Sequence, residues 1–223
     1  MTKICIIIPA LNEEKTIGNV IKLSSNYGNI LVINDASNDG TKKIAIKNGA
    51  TVLSNRSTLG YDQSILKGIK YALKKKYDYI LTIDADGQHP IELIPKFIKY
   101  IEKGYYKIIV GNRKKFPRFS EMLFNTYSNF FHSIPDSLCG MKFYSTEVFA
   151  FLNKKRFLNS IGTYFLIEAS RRKVPIKTIN IDIKKRKYSN SKMGFSFFAN
   201  FKILKAMLIT IIHDIKYNLL HIK

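Results

Sequence analysis

Short apolar runs recur through the first half of this chain, at residues 4–8, 30–33, 51–53, 79–83 and 107–110, each bounded by turn formers. Runs of this length with few charges read as strands buried on both faces. Between them lie stretches with helical spacing. In residues 61–76, for example, Ile65, Ile69, Ala72 and Leu73 fall on one side of a helix. Strand–helix alternation of this kind predicts an α/β fold: a mostly parallel central sheet with helices on both faces. At 223 residues the chain is long enough for one sizeable core and short for two.

In chain order, Asn12 is a good cap for a helix running to about residue 26, with Glu13 and Glu14 in the acidic first turn. Residues 34–41, Asn-Asp-Ala-Ser-Asn-Asp-Gly-Thr, form a dense turn, and a short helix to Asn48 follows. The second half is less regular. A helical stripe spans 119–131, a strand is expected over 137–144, a helix over 161–172 and a late strand over 175–183. Residues 184–194 form a basic, polar loop. Residues 195–222 read as one long apolar helix with Lys202, Lys205, Asp214 and Lys216 interspersed. The expected organisation is a main domain over 1–194 and an appended apolar, amphipathic helix over 195–223.

The run at 79–83 ends abruptly in Asp84-Ala85-Asp86-Gly87-Gln88-His89-Pro90. The strand is expected to stop near Asp84, leaving Asp86 on the turn beyond it, and Pro90 biases His89 away from helix. Carboxylates at the carboxyl end of a parallel strand occupy the place where α/β proteins put ligands. A hard cation such as Mg²⁺ or Mn²⁺ takes one or two carboxylates plus phosphate oxygens. The plainer alternative is that the pair caps the next helix. His89 either joins the site or caps that helix.

Lysine and arginine number 37 against 16 acidic residues, a formal charge of +21. Such a balance implies an anionic partner: a nucleic acid, an anionic membrane surface or a phosphorylated substrate. The bland alternative is lysine spread over solvated faces. Against a nucleic-acid-binding module, the basic residues are dispersed and no recognised nucleic-acid motif is present. Cys5 and Cys139 lack metal-ligand spacing and read as small core residues. The first apolar run is too short for a signal peptide, and no stretch reaches the roughly 18 uncharged residues of a membrane span.

Taken together, four stretches carry a resemblance: Pro9-x-x-Asn12-Glu13, Asn34-Asp35-x-Ser37-x-Asp39-Gly40-Thr41, Asp84-Ala85-Asp86-Gly87-Gln88-His89-Pro90, and Gly111-Asn112-Arg113. In this order and spacing they resemble the family 2 glycosyltransferases with the GT-A fold, and within them the dolichyl-phosphate mannose synthase and polyprenyl-phosphate branch. Arg186-x-Tyr188-x-x-Ser191-Lys192 looks like that branch's basic loop. Residues 136–140 resemble its acceptor-side segment more loosely. The chain departs from the pattern at Asn34, where an aspartate is usual, at Leu11, where an aromatic is common, and at Ser189, where glycine is frequent.

The resemblance implies that Pro9, Leu11, Glu13, Ile33 and Asp35 line a nucleotide pocket and that Asp84 and Ala85 contact the nucleotide. It implies that Asp86 and Gln88 hold Mg²⁺ or Mn²⁺ on the donor diphosphate. Arg113, Arg186 and Lys192 would bind phosphate oxygens. The catalytic candidates are Asp86, Arg113 and Glu168, the last as fallback base for a hydroxyl acceptor; its plainer reading is a helical glutamate beside Arg171 and Arg172. The implied reaction is inverting transfer of a sugar to a polyprenyl phosphate, or alternatively to a glycan hydroxyl. A lipid phosphate is already an oxyanion, so it needs no general base. The implied setting is cytoplasmic and peripheral at the membrane. For the C-terminal helix three roles stand open: core packing, a membrane interface with snorkelling lysines, or a homodimer contact.

Overall fold

The structure of the protein is a computed structural model, and it describes residues 2–150, 161–186 and 197–221. Among these, one sheet holds β1 (Ile4–Ala10), β2 (Asn29–Asn34), β3 (Thr51–Ser54), β4 (Tyr79–Thr82), β5 (Ile108–Arg113), β6 (Lys142–Ser145) and β7 (Ile176–Ile181). The strand order is β3-β2-β1-β4-β6-β5-β7. The pairs β1–β2, β1–β4, β2–β3 and β5–β7 are parallel, as the alternation predicts. Strand β6 runs antiparallel to both β4 and β5.

The core explains the uncharged runs. Side chains alternate between faces along a strand, yet Ile6, Ile7 and Ile8 of β1 are each 0% exposed. Both faces must therefore be covered. Helix α1 spans Ile17–Ser24, α2 Thr41–Lys47, α3 Tyr61–Lys74, α4 Ile94–Glu102, α5 Phe119–His132, α6 Ile161–Arg171 and α7 Phe197–His221. Helix α3 lies against the face to which Ile7 points and adjoins α6.

Two local expectations fail for a common reason: long-range partners capture the backbone first. Asn12 is no helix cap. Its φ is +51°, its N–H donates to Ser37 Oγ at 2.9 Å, and its Oδ1 accepts from the Asn38 N–H at 2.8 Å. Glu13 N–H donates to Thr41 Oγ1 at 2.7 Å, and Glu14 Oε2 accepts from the Gly40 N–H at 2.8 Å. The turns after β1 and β2 are thus stitched together, and α1 starts only at Ile17. Likewise the strand expected over 137–144 shrinks to Lys142–Ser145. Upstream of it, Ser137 N–H donates to Asn125 Oδ1 at 3.1 Å, so a side chain of α5 replaces a ladder partner.

Helix α7 packs along α5, and the two run parallel. At one end Ser120 Oγ bonds Asn200 Oδ1 at 2.6 Å. Phe124, Ile203 and Ala206 then form a small apolar cluster. At the other end Asp214 Oδ2 meets the Tyr127 hydroxyl and His132 Nε2, the latter at 2.9 Å. Asp214 Oδ1 takes Arg171 of α6, at 2.7 Å from Nε and 2.6 Å from Nη2. Burial alone would raise the Asp214 pKa. The bonds from His132, Tyr127 and Arg171 outweigh it and hold the carboxyl below its ordinary value. Of the three roles open for this helix, packing on the domain is what this face performs. No helix among the described residues is long and apolar enough to cross a membrane.

Candidate active site

Strand β4 stops at Thr82, and the residues after it build a self-supporting acidic turn. Thr82 Oγ1 donates to the Gly140 carbonyl at 2.7 Å, tying β4 to the segment that enters β6. The His89 ring, 4% exposed, folds back on Asp84. Its Nδ1 accepts from the Asp84 N–H at 3.0 Å, which leaves Nε2 to carry the proton, 3.6 Å from Asp84 Oδ2. His89 therefore braces the turn. Gly87 takes φ +74°, and Asp86 Oδ1 accepts from the Gln88 N–H at 3.0 Å.

Two observations make this corner fit for a cation. Asp84 Oδ1 is buried and has no hydrogen-bond partner among the described residues. Asp86, 8% exposed, is already balanced by a positive group: Arg186 Nη2 contacts its Oδ2. Among the described residues no cluster of three or more His, Cys, Asp or Glu side chains is placed to hold an ion. The donor set is thus two carboxylates and an amide, which suits a hard ion completing its shell with phosphate oxygens.

Gln88, which follows the central strand β4, and Arg186, which follows the edge strand β7, meet here. Gln88 Nε2 donates to the Lys184 carbonyl at 2.9 Å, and the Lys184 N–H donates to the Gln88 carbonyl at 2.9 Å. Lys184 Nζ also pairs with Glu92 at 3.0 Å. The chain leaving β7 is so pinned to the acidic turn. Lys192 lies outside the described residues.

Gly140 presses on the same corner. A Cβ there would lie 2.6 Å from Asp84 Oδ1 and 2.7 Å from Oδ2, so only glycine lets the backbone approach the carboxylate this closely. The Tyr61 hydroxyl also neighbours Asp84, although the whole residue keeps 45% of its surface exposed. Burial of the hydroxyl and the Asp84 carboxylate push the phenol well above its ordinary value. Neither Gly140 nor Tyr61 stood out individually in the sequence. The only signal for Gly140 was its place in the 136–140 stretch.

Next along the sheet, Pro9 of β1 and Ile33 of β2 are register partners at neighbouring strand ends. Ile33 is 0% exposed, so its side chain belongs to the core and only its backbone is available to a ligand. Leu11 is half-buried and Glu13 buried; the Glu13 carboxylate accepts from Thr16 Oγ1 at 3.1 Å. Asp35, 4% exposed, already accepts three bonds: from Asn55 Nδ2 at 2.7 Å, Leu59 N–H at 2.9 Å and Gly60 N–H at 2.8 Å. It fixes the loop that leads into α3. Ala85, 3% exposed, sits between the two acids.

Arg113 and Glu168 are engaged by other partners. Arg113 makes a bidentate pair with the fully buried Asp136, through Nε at 2.7 Å and Nη2 at 2.9 Å, and its Nη1 lies 3.2 Å from Glu121. Burial would lower its pKa, but the Asp136 carboxylate more than reverses this, so it stays charged. The pair brackets the end of β5 to α5. Glu168 sits two turns along α6 from the end that touches Asp62, paired with Arg171 at 3.2 Å and Arg172 at 2.9 Å. The plainer reading of Glu168 is the one the geometry supports. Burial pushes both Cys5 and Cys139 thiols up to about 12, which suits core residues and leaves no thiolate for a metal.

The sequence model described as Glycosyl transferase family 2 matches residues 5–164. An uncharacterized protein of Methanocaldococcus jannaschii is 31% identical, over 91% of this chain and 89% of its own length. The UDP-N-acetylglucosamine–dolichyl-phosphate N-acetylglucosaminyltransferase of Methanococcus voltae is 29% identical, over 91% of this chain and 96% of its own. Among solved structures, glucosyl-3-phosphoglycerate synthase of Mycobacterium tuberculosis, in complex with Mn²⁺, UDP and glucosyl-3-phosphoglycerate, superposes with a TM-score of 0.76. It covers 94% of this chain and 80% of that one, at 18% identity, a likeness of fold. With the family match over most of the chain, a mostly parallel seven-stranded sheet and an acidic turn at its centre, this chain belongs to family 2 of the glycosyltransferases and is a glycosyltransferase of the GT-A fold.

Proposed function

We propose that the protein is a metal-dependent, inverting glycosyltransferase that moves a sugar from a nucleoside diphosphate to a polyprenyl phosphate at a membrane surface. The observation that carries this reading is the acidic corner, where the orphaned, buried Asp84 Oδ1 and the cation-paired Asp86 lie one residue apart at the end of β4. Asp86 and Gln88 would hold the ion with Asp84 as the second carboxylate, and Asp84 and Ala85 would also meet the nucleotide. A bound Mg²⁺ or Mn²⁺ would supply Lewis acidity toward the departing diphosphate.

The chain's own residues do the rest. Leu11, Glu13, Asp35 and the backbone of Pro9 and Ile33 frame the base and ribose at neighbouring strand ends. Arg186 and Lys192 take phosphate oxygens, for which a guanidinium fork is suited. Arg113 acts at one remove, keeping the β5 end and α5 in place through Asp136. The dolichyl-phosphate acceptor in the name of the M. voltae relative supports a lipid phosphate here. So does Glu168: the base a hydroxyl acceptor would call on is held in two ion pairs. A phosphate acceptor brings its own oxyanion.

The test supplies labelled nucleotide sugars, Mn²⁺ and a short-chain polyprenyl phosphate in detergent. Label is expected in an organic-extractable, acid-labile product, abolished by Asp86→Asn. Label that enters only water-soluble oligosaccharide, or transfer that survives both Asp86→Asn and chelation, overturns the reading.

A further inference from the structure

Helix α7 has two apolar stripes, and among the described residues only one is covered. Ile203, Ala206 and Asp214 face α5 and α6. On the roughly opposite side of the helix, Phe201, Leu208, Ile212, Ile215 and Leu219 follow one another at spacings of seven, four, three and four residues, which keeps them in a single row. Each is at least 50% exposed, Phe201 at 61% and Leu219 at 68%. From Phe201 to Leu219 the row is about 27 Å long at about 1.5 Å per residue. Scattered surface leucines are ordinary, but a continuous apolar row is not.

Charge identifies the occupant. Exposed Lys202, Lys205 and Lys216 line one flank of the row. At 100° per residue they fall beside it, where their stems lie along apolar surface and their ammonium groups reach outward. A second copy would bring the same lysines, on a chain of formal charge +21, against themselves. An anionic bilayer offers both a hydrocarbon edge for the row and phosphates for the lysines. The clasp at Asp214 and the Ser120–Asn200 bond hold α7 at both ends, so the row is presented by a fixed helix.

We infer that the outer face of α7 is the surface by which this enzyme lies on an anionic membrane, its apolar row at the acyl boundary and Lys202, Lys205 and Lys216 at the headgroups. The inference rests on the lipid-acceptor reading for its biological sense, though not for its test.

The test is co-sedimentation of the full chain with vesicles of phosphatidylcholine alone or with about one third phosphatidylglycerol, without donor or acceptor, so that failure here is separable from failure of the function. Binding is expected to the anionic vesicles and to weaken with salt. Leu208→Ser/Ile212→Ser should lower the partition coefficient at least tenfold, with unchanged thermal unfolding because both positions are exposed. Lys205→Glu/Lys216→Glu should remove the preference for anionic lipid. Transfer to a detergent-solubilised short-chain acceptor should survive in both variants. No vesicle binding, binding unchanged in both variants, or a dimer in light scattering that Leu208→Ser/Ile212→Ser dissolves, overturns the inference.

Discussion

Arg186 is expected to compete with the metal before it serves the substrate. Its Nη2 contacts Asp86 Oδ2, with the arginine side chain 20% exposed and the aspartate 7%. Opposite unit charges about 4 Å apart attract by about 4 kcal/mol at an effective dielectric constant of 20. Water on the arginine side and the entropy of holding a long side chain reduce the net value to about 1–2 kcal/mol. A divalent ion must displace the guanidinium to reach that oxygen, so this energy is subtracted from its affinity. Since about 1.4 kcal/mol is tenfold, Arg186→Met should tighten Mn²⁺ binding by about 5- to 30-fold in the absence of nucleotide. With a nucleoside diphosphate present the sign should reverse. The displaced guanidinium then has phosphate to bind, and losing a charge-assisted bond costs about 1.5–3 kcal/mol, or about 10- to 100-fold in nucleotide affinity. Titration of free Mn²⁺ by electron paramagnetic resonance, with and without UDP or GDP, reads both effects. Weaker or unchanged Mn²⁺ binding in the variant without nucleotide would refute the competition.

Three further outcomes are expected. Gly140→Ala should weaken Mn²⁺ binding at least tenfold and cost about 1–3 kcal/mol in stability, because its Cβ would lie 2.6 Å from Asp84 Oδ1; calorimetric Mn²⁺ titration and urea unfolding check both. Asp136→Ala should cost about 3–5 kcal/mol in urea unfolding, since it leaves the Arg113 charge buried without its bidentate partner, while a loss under 1 kcal/mol would contradict the bracket. The Asp214 clasp should be complete at neutral pH and be lost as pH falls through the depressed folded pKa, below the ordinary 3.8. Asp214→Asn should flatten that acid limb in thermal unfolding measured from pH 5 down to pH 2, and a wild-type curve with the same slope as the variant would count against it.

How much of this could be read beforehand follows contact distance along the chain. The strands expected over 4–8, 30–33 and 79–83 end within two residues of the observed Ala10, Asn34 and Thr82, and the acidic turn was legible too, because apolar runs and turn formers are local signals. The reversed direction of β6 was not. Lys142–Ser145 reads as a short strand either way, and its orientation is set by pairing with Thr82 and Val110. Asn12 was misread because Ser37 and Asn38, about 25 residues on, take its hydrogen bonds. The pairing of Arg113 with a buried counter-ion was not legible, because Asp136 lies 23 residues away. The two apolar sides of α7 were visible as apolar character alone. Which one is covered depends on Phe124 of α5, some eighty residues earlier.

The reversal of β6 has a mechanical consequence. Because β6 begins where β4 ends, the peptide around Gly140 arrives at the catalytic end of the sheet just as the peptide around Asp84 departs from it. One ladder therefore welds an incoming segment to an outgoing one, and neither can swing without shearing the sheet's centre. Adaptation to a new acceptor would be easiest beyond this weld, in the parts hung from β5 and β7, with the donor cradle proposed on β1, β2 and β4 left undisturbed.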